Sequence, residues 1–226
     1  MKGHKVKRLT TLAAAIILVG VIIAPTLSSA APNGPGASGW KLGYYTPSGR
    51  ALSTSQTAPG EGVAAINFTT QDNTALLINT QGNSTLLGND LSKTVSATFT
   101  ISGATSDFTY YGETDACGTA ASTRLFFETR YGVGGFSSTD YWWADNASYT
   151  LADNGNGVTI HAVISPSGSW SAFYGEKSAE YATSFSAAAS NVTGIGLSFG
   201  GGCFFENGVG TVNGSGTFTL TNFSVS

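Results

Sequence analysis

The stretch Ile195–Phe205 reads Ile-Gly-Leu-Ser-Phe-Gly-Gly-Gly-Cys-Phe-Phe, and it indicates the fold class more clearly than any other part of the chain. Its first five residues alternate between large apolar and small side chains, the pattern of a β-strand with one buried face. Three glycines then allow the backbone to bend, and Cys203 follows. No helix pattern comes after the glycines, which argues against a phosphate-binding loop. The stretch therefore predicts a central core strand that ends in a kinked loop anchored by a disulfide.

Short alternating segments recur along the chain and predict further strands. The strongest is 94–102, in which apolar residues alternate with Ser and Thr. Asp153–Gly157 is the clearest turn, because its Asn-Gly pairs provide the positive φ of hairpin turns. The one helix pattern, at 179–190, is alanine-rich but contains several Ser and Thr, and it predicts at most two turns. The other strand candidates are Trp40–Tyr45, Val63–Phe68, Ala75–Asn79, Phe108–Gly112, Arg124–Tyr131, Tyr141–Trp143, Tyr149–Ala152, Val158–Ser165 and Thr217–Val225.

About ten strands without strand–helix–strand alternation predict an all-β fold, a single β-sandwich or jelly roll over residues 39–226. The pattern resembles the jelly-roll β-sandwiches of carbohydrate-binding modules and galactose-binding-like domains. This resemblance covers most of the chain after residue 38 and rests on the early Trp40 strand and on segments 93–99, 195–199 and 217–225. It implies a fold and a class of ligand, and it brings no binding residues with it.

The first 30 residues have the features of a secretory signal peptide. An apolar run from Leu12 to Ala24 is followed by small residues that fit a signal-peptidase site. The run is shorter than the roughly 20 residues of a membrane span. We expect cleavage after Ala30, a flexible lead-in at 31–38 and a secreted, extracellular protein, with an uncleaved N-terminal anchor as the alternative. The basic residues that precede the apolar run are Lys2, Lys5, Lys7 and Arg8.

Charge and cysteine content narrow the classes of partner. Cleavage after residue 30 would keep six of the ten basic residues and all thirteen acidic ones, a formal net charge of −7. An acidic surface argues against nucleic-acid binding and against docking on anionic lipid. No second long apolar run exists, so we expect no membrane contact after cleavage. In an oxidising compartment, Cys117 and Cys203 are expected to form a disulfide.

The residues offer little support for catalysis. His161 is the only histidine after residue 30, and there is no Gly-x-Ser-x-Gly elbow, so a Ser-His-Asp triad has no basis. One histidine and two distant cysteines show no zinc-ligand spacing. Paired carboxylates, as in glycoside hydrolases, are the remaining catalytic option. The candidates, each among aromatic residues, are Glu113, Glu128, Glu176 and Glu206. We expect no enzymatic activity.

Hard oxygen ligands keep one cofactor alternative open. Asp140, Asp145 and Asp153 lie close in sequence and are of the type that binds calcium, although their spacing is not that of an EF-hand. We expect no required cofactor, with a structural calcium ion as the alternative.

Tyr141-Trp142-Trp143 is the strongest binding signal. Because side chains alternate across a strand, Trp142 and Trp143 point to opposite faces, and we expect at most one of them in the core. The other would be exposed, where a flat indole stacks on the C–H face of a sugar ring or, alternatively, covers a loop. Asp145 and Asn146 follow and would provide hydroxyl-binding groups. A second candidate site contains Trp170 and Tyr174.

The sequence therefore favours a secreted, non-catalytic β-sandwich that binds carbohydrate at a cell surface or on an extracellular polymer. The first alternative is a structural or adhesive subunit of an extracellular layer, filament or matrix, which would self-associate. The second is a glycoside hydrolase that uses paired carboxylates.

Overall fold

The computed structural model describes residues 39–46, 49–55, 64–70, 73–80, 87, 90–103, 107–111, 117, 120–129, 136–152 and 154–226. The expected signal peptide and lead-in, together with Glu113 and Asp153, lie outside the described residues. Within the described ranges, no helix has the length and apolar character needed to cross a bilayer.

The described residues form thirteen strands and one α-helix, so the predicted all-β fold is confirmed. Helix α1 (Ala182–Ala189) has eight residues, the two turns that its Ser- and Thr-rich sequence predicts. The strands are β1 Trp40–Thr46, β2 Gly49–Ser55, β3 Ala64–Thr69, β4 Thr74–Asn79, β5 Thr94–Ser102, β6 Phe108–Tyr110, β7 Ser122–Glu128, β8 Tyr141–Thr150, β9 Val158–Val163, β10 Trp170–Ser171, β11 Gly194–Gly200, β12 Val209–Thr211 and β13 Ser215–Val225.

The strands form two antiparallel sheets. The larger sheet has the order β10-β8-β7-β11-β4-β1-β2, with β12 and β6 attached beside β4. The smaller sheet has the order β3-β13-β5-β9. Strand β11, predicted from Ile195–Phe199, lies in the middle of the larger sheet between β7 and β4, which confirms it as the central strand.

Apolar side chains from both sheets meet in one core. Ile195, Leu197 and Phe199 of β11 are buried there, and the ring of Phe199 packs on Phe68 of β3 and Phe218 of β13 at 5.5 and 5.2 Å between centroids. Each such buried side chain contributes about 1.5–3 kcal/mol of transfer free energy. As the sequence predicts, the alternating strands place their apolar faces in one core between the two sheets.

The strands that the sequence missed are short or polar. Strand β10 has two residues, β12 has three, and β2 reads Gly-Arg-Ala-Leu-Ser-Thr-Ser, so none of the three shows a clear apolar alternation. Conversely, the separate candidates at 141–143 and 149–152 belong to one strand, β8. They looked separate because the polar pair Asp145 and Asn146 interrupts the pattern where the strand bulges.

The turn predicted at Asp153–Gly157 is present in its described part, but it does not close a hairpin. Gly157 has φ +80° and its N–H donates to the carbonyl of Asn154 at 2.8 Å, while Asn154 Oδ1 accepts from the N–H of Ile101 at 2.7 Å. The turn joins β8 of the larger sheet to β9 of the smaller sheet. It is a crossing between the two sheets rather than a turn between paired strands.

The predicted disulfide is present. Cys117 and Cys203 are bonded with their Cα atoms 5.0 Å apart and 86 positions apart in sequence. Cys203 follows β11 directly after Gly202, whose φ of +62° lies in the region that glycine adopts without strain. The segment 201–207 is the disulfide loop, and it is further closed by reciprocal hydrogen bonds between Asn207 and the backbone of Gly201.

Candidate functional site

Trp142 and Trp143 point to opposite faces of the larger sheet, as alternation predicts, but both are buried. Trp142 lies in the core between the sheets, where it contacts Phe185 and donates from Nε1 to the carbonyl of Thr139 at 2.8 Å. Trp143 lies on the outer face and is 2 % exposed. The expectation that one of the two indoles is exposed is therefore wrong, because the outer face is itself covered.

Two segments of chain cover this outer face. The buried side chains beneath them form a second apolar cluster, separate from the sandwich core: Leu76, Ile78, Phe126 and Trp143. Phe173 covers the cluster from the segment after β10, and Phe204 and Phe205 cover it from the disulfide loop. The ring of Phe173 contacts that of Phe204 at 5.1 Å, so the two segments meet above Trp143.

A cleft of about 330 Å³ opens between the two covering segments, and we call it the aromatic cleft. Its lining includes Trp143, Asp145, Phe173, Tyr174, Lys177 and residues 203–205. Tyr174 is 75 % exposed and its ring meets Phe173 edge to face at 5.3 Å, so this phenol forms part of the rim. Concave, mostly apolar clefts with a few placed polar groups are the usual form of small-molecule sites.

A charged pair lies among the aromatic rings. Lys177 Nζ donates to Asp145 Oδ2 at 2.8 Å, and Ser171 Oγ donates to Asp145 Oδ1 at 2.6 Å. Asp145 is held in place by its backbone as well, because its N–H donates to the carbonyl of Ser169 at 2.7 Å. Two hydrogen bonds thus fix the carboxylate, and a third fixes the backbone that carries it, in the lining of the cleft.

Arg124 supports this arrangement from beneath. In the pairing of β7 with β8, the single residue between Arg124 and Phe126 faces the four residues 144–147, a bulge that takes carbonyl groups out of the ladder. Arg124 Nη1 lies 3.4 Å from the carbonyl oxygens of Ala144 and Asp145 and donates to both. Its guanidinium lies 3.6 Å from the ring centroid of Phe205, a cation–π contact.

The positively charged side chain of Arg124 is buried, because only 7 % of it is exposed. Burial lowers the pKa of Arg124, and attraction to the carboxylate of Asp145 opposes that shift. Glu128, on the same strand and one of the candidate catalytic carboxylates, is also fully buried. The ring of Phe205, from the disulfide loop, covers the guanidinium of Arg124.

The structure brings some of the predicted site residues together and separates others. Trp143, Asp145 and Tyr174 line the aromatic cleft, and Tyr141 lies beside it with its ring 6.4 Å from Trp143. Trp170 is buried in the sandwich core and donates from Nε1 to the carbonyl of Val163 at 2.8 Å, so it offers no surface ring. Asn146 lines a different groove, beside β9. Trp142, Trp170 and Asn146 are therefore not part of this cleft.

Sequence reasoning missed Phe173, Lys177, Phe204 and Phe205. Lys177 is one of only six basic residues after position 30, and the phenylalanine pair directly follows a disulfide cysteine. These two signals were available, because a rare cation and an anchored aromatic pair both stand out in a chain poor in charge. The proximity of these four residues could not be predicted from the sequence, because it depends on the bulge in β8 and on the two covering segments.

The calcium alternative stays a prediction. Throughout the described part of the chain, no group of three or more His, Cys, Asp or Glu side chains is close enough together to hold a metal ion. Asp145 is engaged by Lys177 and Ser171, and Asp140 borders a separate cleft beside α1.

Glu176 fixes the segment that carries Tyr174, and this gives a pH prediction. Burial raises the pKa of Glu176, but hydrogen bonds from the hydroxyl of Ser138 and from the N–H of Tyr174 outweigh it, so the pKa lies below its ordinary value. A lowered folded-state pKa stabilises the fold above the ordinary value of about 4.3, and this contribution is lost as the pH falls through the folded-state pKa.

Replacement of Glu176 with glutamine is therefore expected to lower the free energy of unfolding at pH 7, and the difference from wild type should shrink as the pH approaches 3. Urea unfolding at a series of pH values measures this. Glu180→Gln, at an exposed position, controls for the loss of a surface charge. A stability deficit of Glu176→Gln that is the same at pH 7 and pH 3 would contradict the assignment.

Comparison of the chain with protein-family models, with curated proteins and with solved structures finds no match. We therefore infer the function from the chemistry of the cleft itself.

Proposed function

We propose that the protein is a secreted, non-catalytic β-sandwich that binds carbohydrate in the aromatic cleft. The observation that carries the proposal is the largely exposed ring of Tyr174 beside a cleft that also holds the Asp145–Lys177 pair. A sugar has an apolar C–H face and a polar edge, so a ring for stacking next to charged hydrogen-bonding groups is complementary to it.

The aromatic surface continues beyond the cleft. Phe136 is 57 % exposed, and its ring contacts Phe173 at 4.8 Å and Tyr174 at 6.0 Å. Isolated exposed apolar residues need no explanation, but neighbouring exposed rings that border a cleft are typical of interaction sites. Phe136 and Tyr174 together extend the exposed aromatic surface beside the cleft.

The carboxylates near the cleft favour binding over hydrolysis. The general acid of a glycoside hydrolase needs a raised pKa, whereas the pKa of Glu176 lies below its ordinary value. Asp145 is held by an ammonium group and a hydroxyl rather than presented alone to a substrate. The disulfide is in keeping with an extracellular location, because such bonds persist mainly in oxidising compartments.

Replacement of Tyr174 with alanine is expected to weaken glycan binding about tenfold or more, which corresponds to about 1.4 kcal/mol, and to leave the melting temperature unchanged because the ring is mostly in solvent. A glycan array with the secreted chain identifies the ligand, and affinity electrophoresis with that glycan measures the change.

Tyr181→Ala is the matched control, since Tyr181 is also exposed but lies at the start of α1, outside the cleft lining. It is expected to bind as the wild type does. Equal binding by Tyr174→Ala and the wild type would place the site elsewhere, and an array on which no glycan is bound would refute the proposal.

A further inference from the structure

Two carboxylates beside the aromatic cleft, those of Asp145 and Glu176, are already hydrogen-bonded within the protein. Asp145 Oδ1 accepts from Ser171 and Oδ2 accepts from Lys177. Both oxygens of Glu176, in the same covering segment, are hydrogen-bonded as well. These two carboxylates therefore have their main bonds inside the protein, and they contribute little to binding the hydroxyl protons of a ligand.

The hydrogen-bond donors beside the cleft, in contrast, are only partly paired. Trp143 lines the cleft and is almost fully buried, yet among the described residues its Nε1–H has no hydrogen-bond acceptor. Lys177 uses one of its three donors on Asp145, and more than half of its side chain is exposed. Buried N–H groups in folded proteins are normally paired, so the unpaired indole N–H of a residue that lines the cleft leaves a donor for which an entering ligand would supply the acceptor.

A second buried donor reinforces this pattern. Arg124 Nε has no hydrogen-bond partner in the described part of the chain, and the guanidinium lies against the ring of Phe205, one wall of the cleft. Indole, guanidinium and ammonium groups donate hydrogen bonds and accept none. Lys177 pairs with the carboxylate of Asp145, and the same carboxylate attracts the charge of Arg124.

We propose that the ligand of the aromatic cleft is an acidic sugar, whose ring-borne carboxylate or sulfate accepts hydrogen bonds from Lys177 and Trp143 while its ring packs on Tyr174. This inference rests on the proposed carbohydrate binding and names its chemical class. A carboxylate or sulfate accepts hydrogen bonds and donates none, so it is complementary to a set of donors. A neutral hydroxyl also carries a proton, for which the engaged carboxylates leave little room.

The net charge of the whole chain limits how an acidic polymer could be bound. The chain has a formal net charge of −3, or −7 if residues 1–30 are removed as expected. Long-range electrostatics would repel a polyanion from such a protein. Tight binding of an acidic polymer would therefore have to come from a local set of donors.

The experiment uses the disulfide-bonded chain and two matched pairs of polymer. Polygalacturonate is compared with its carboxyl-reduced form, and dextran sulfate is compared with dextran, at the same ionic strength. We expect at least one polyanion to bind about tenfold or more tightly than its neutral match. The pair that shows the difference identifies the group as a carboxylate or a sulfate.

Variants of Lys177 locate the binding. Lys177→Gln is expected to lower the affinity for the polyanion about tenfold. Lys177→Arg keeps a cation that donates hydrogen bonds, and it is expected to retain most of the affinity. Lys93→Gln makes the same change in net charge just before β5, outside the cleft, and should bind as the wild type does. Thermal melts establish that each variant is folded.

Three outcomes would overturn the inference. The first is that the neutral polymers bind as tightly as the polyanions and that Tyr174→Ala binds neither. Carbohydrate binding would then stand, and the assignment of the ligand as an acidic sugar would be wrong. If Lys177→Gln and Lys93→Gln weaken binding equally, the attraction is general rather than local. If no polymer and no arrayed glycan binds, both the inference and the proposed function fail.

Discussion

Replacement of Trp142 with alanine is expected to lower the free energy of unfolding by about 3–5 kcal/mol, the usual cost of deleting a buried large aromatic side chain. The indole lies between the sheets against Phe185, and it also satisfies the carbonyl of Thr139. The cavity would form where β8 meets helix α1, at one end of the core. Urea unfolding followed by fluorescence measures the change.

Trp143→Ala is expected to be destabilising to a similar extent, although Trp143 lies on the other face of the same strand. Its ring packs against Phe126 at 5.3 Å and Phe204 at 6.0 Å, beneath the disulfide loop. The pair of variants therefore tests whether both faces of the larger sheet are covered. A Trp143→Ala variant as stable as the wild type would show that the outer face is open, as the sequence suggested.

Loss of the disulfide is the second large effect. Replacement of both Cys117 and Cys203 with serine is expected to lower the free energy of unfolding by up to about 4–5 kcal/mol, the chain-entropy value for a closure of this length. Phe204 and Phe205 follow Cys203 directly, so the same change should weaken ligand binding by loosening one wall of the cleft.

Reductant provides the control for this prediction. Adding it to the wild type should reproduce the loss of stability, and adding it to the double serine variant should change nothing. If the double variant melts at the wild-type temperature and binds ligand normally, the disulfide neither stabilises the fold nor supports the cleft.

The sandwich could be predicted from the sequence because its signal is local. In β11 and β5, apolar and small or polar residues alternate without interruption, and each strand has one face in the core. The same reasoning turned Trp142 and Trp143 to opposite faces correctly. It failed on exposure, because the burial of Trp143 depends on Phe173 and Phe204, which lie 30 and 61 positions further along the chain.

The cleft could be predicted only in part for a similar reason. Trp143, Asp145 and Tyr174 were expected as binding residues, yet they were assigned to two separate sites. They share one cleft because of the bulge in β8, whose backbone accepts hydrogen bonds from Arg124. In this bulge one residue of β7 faces four residues of β8, and strand alternation in the sequence does not predict such a bulge. Trp170 was expected in a loop binding site, whereas β10 places it in the core.

The two walls of the cleft are attached to parts of the fold that differ in resistance to local opening. The disulfide loop continues directly from β11, which is hydrogen-bonded on both sides along the middle of the larger sheet. The wall that carries Tyr174 continues from β10, a two-residue strand at the sheet edge. Elements with few ladder bonds open at lower free energy than central strands. If a ligand enters the cleft, we therefore expect the wall beside β10 to move more readily than the wall beside β11.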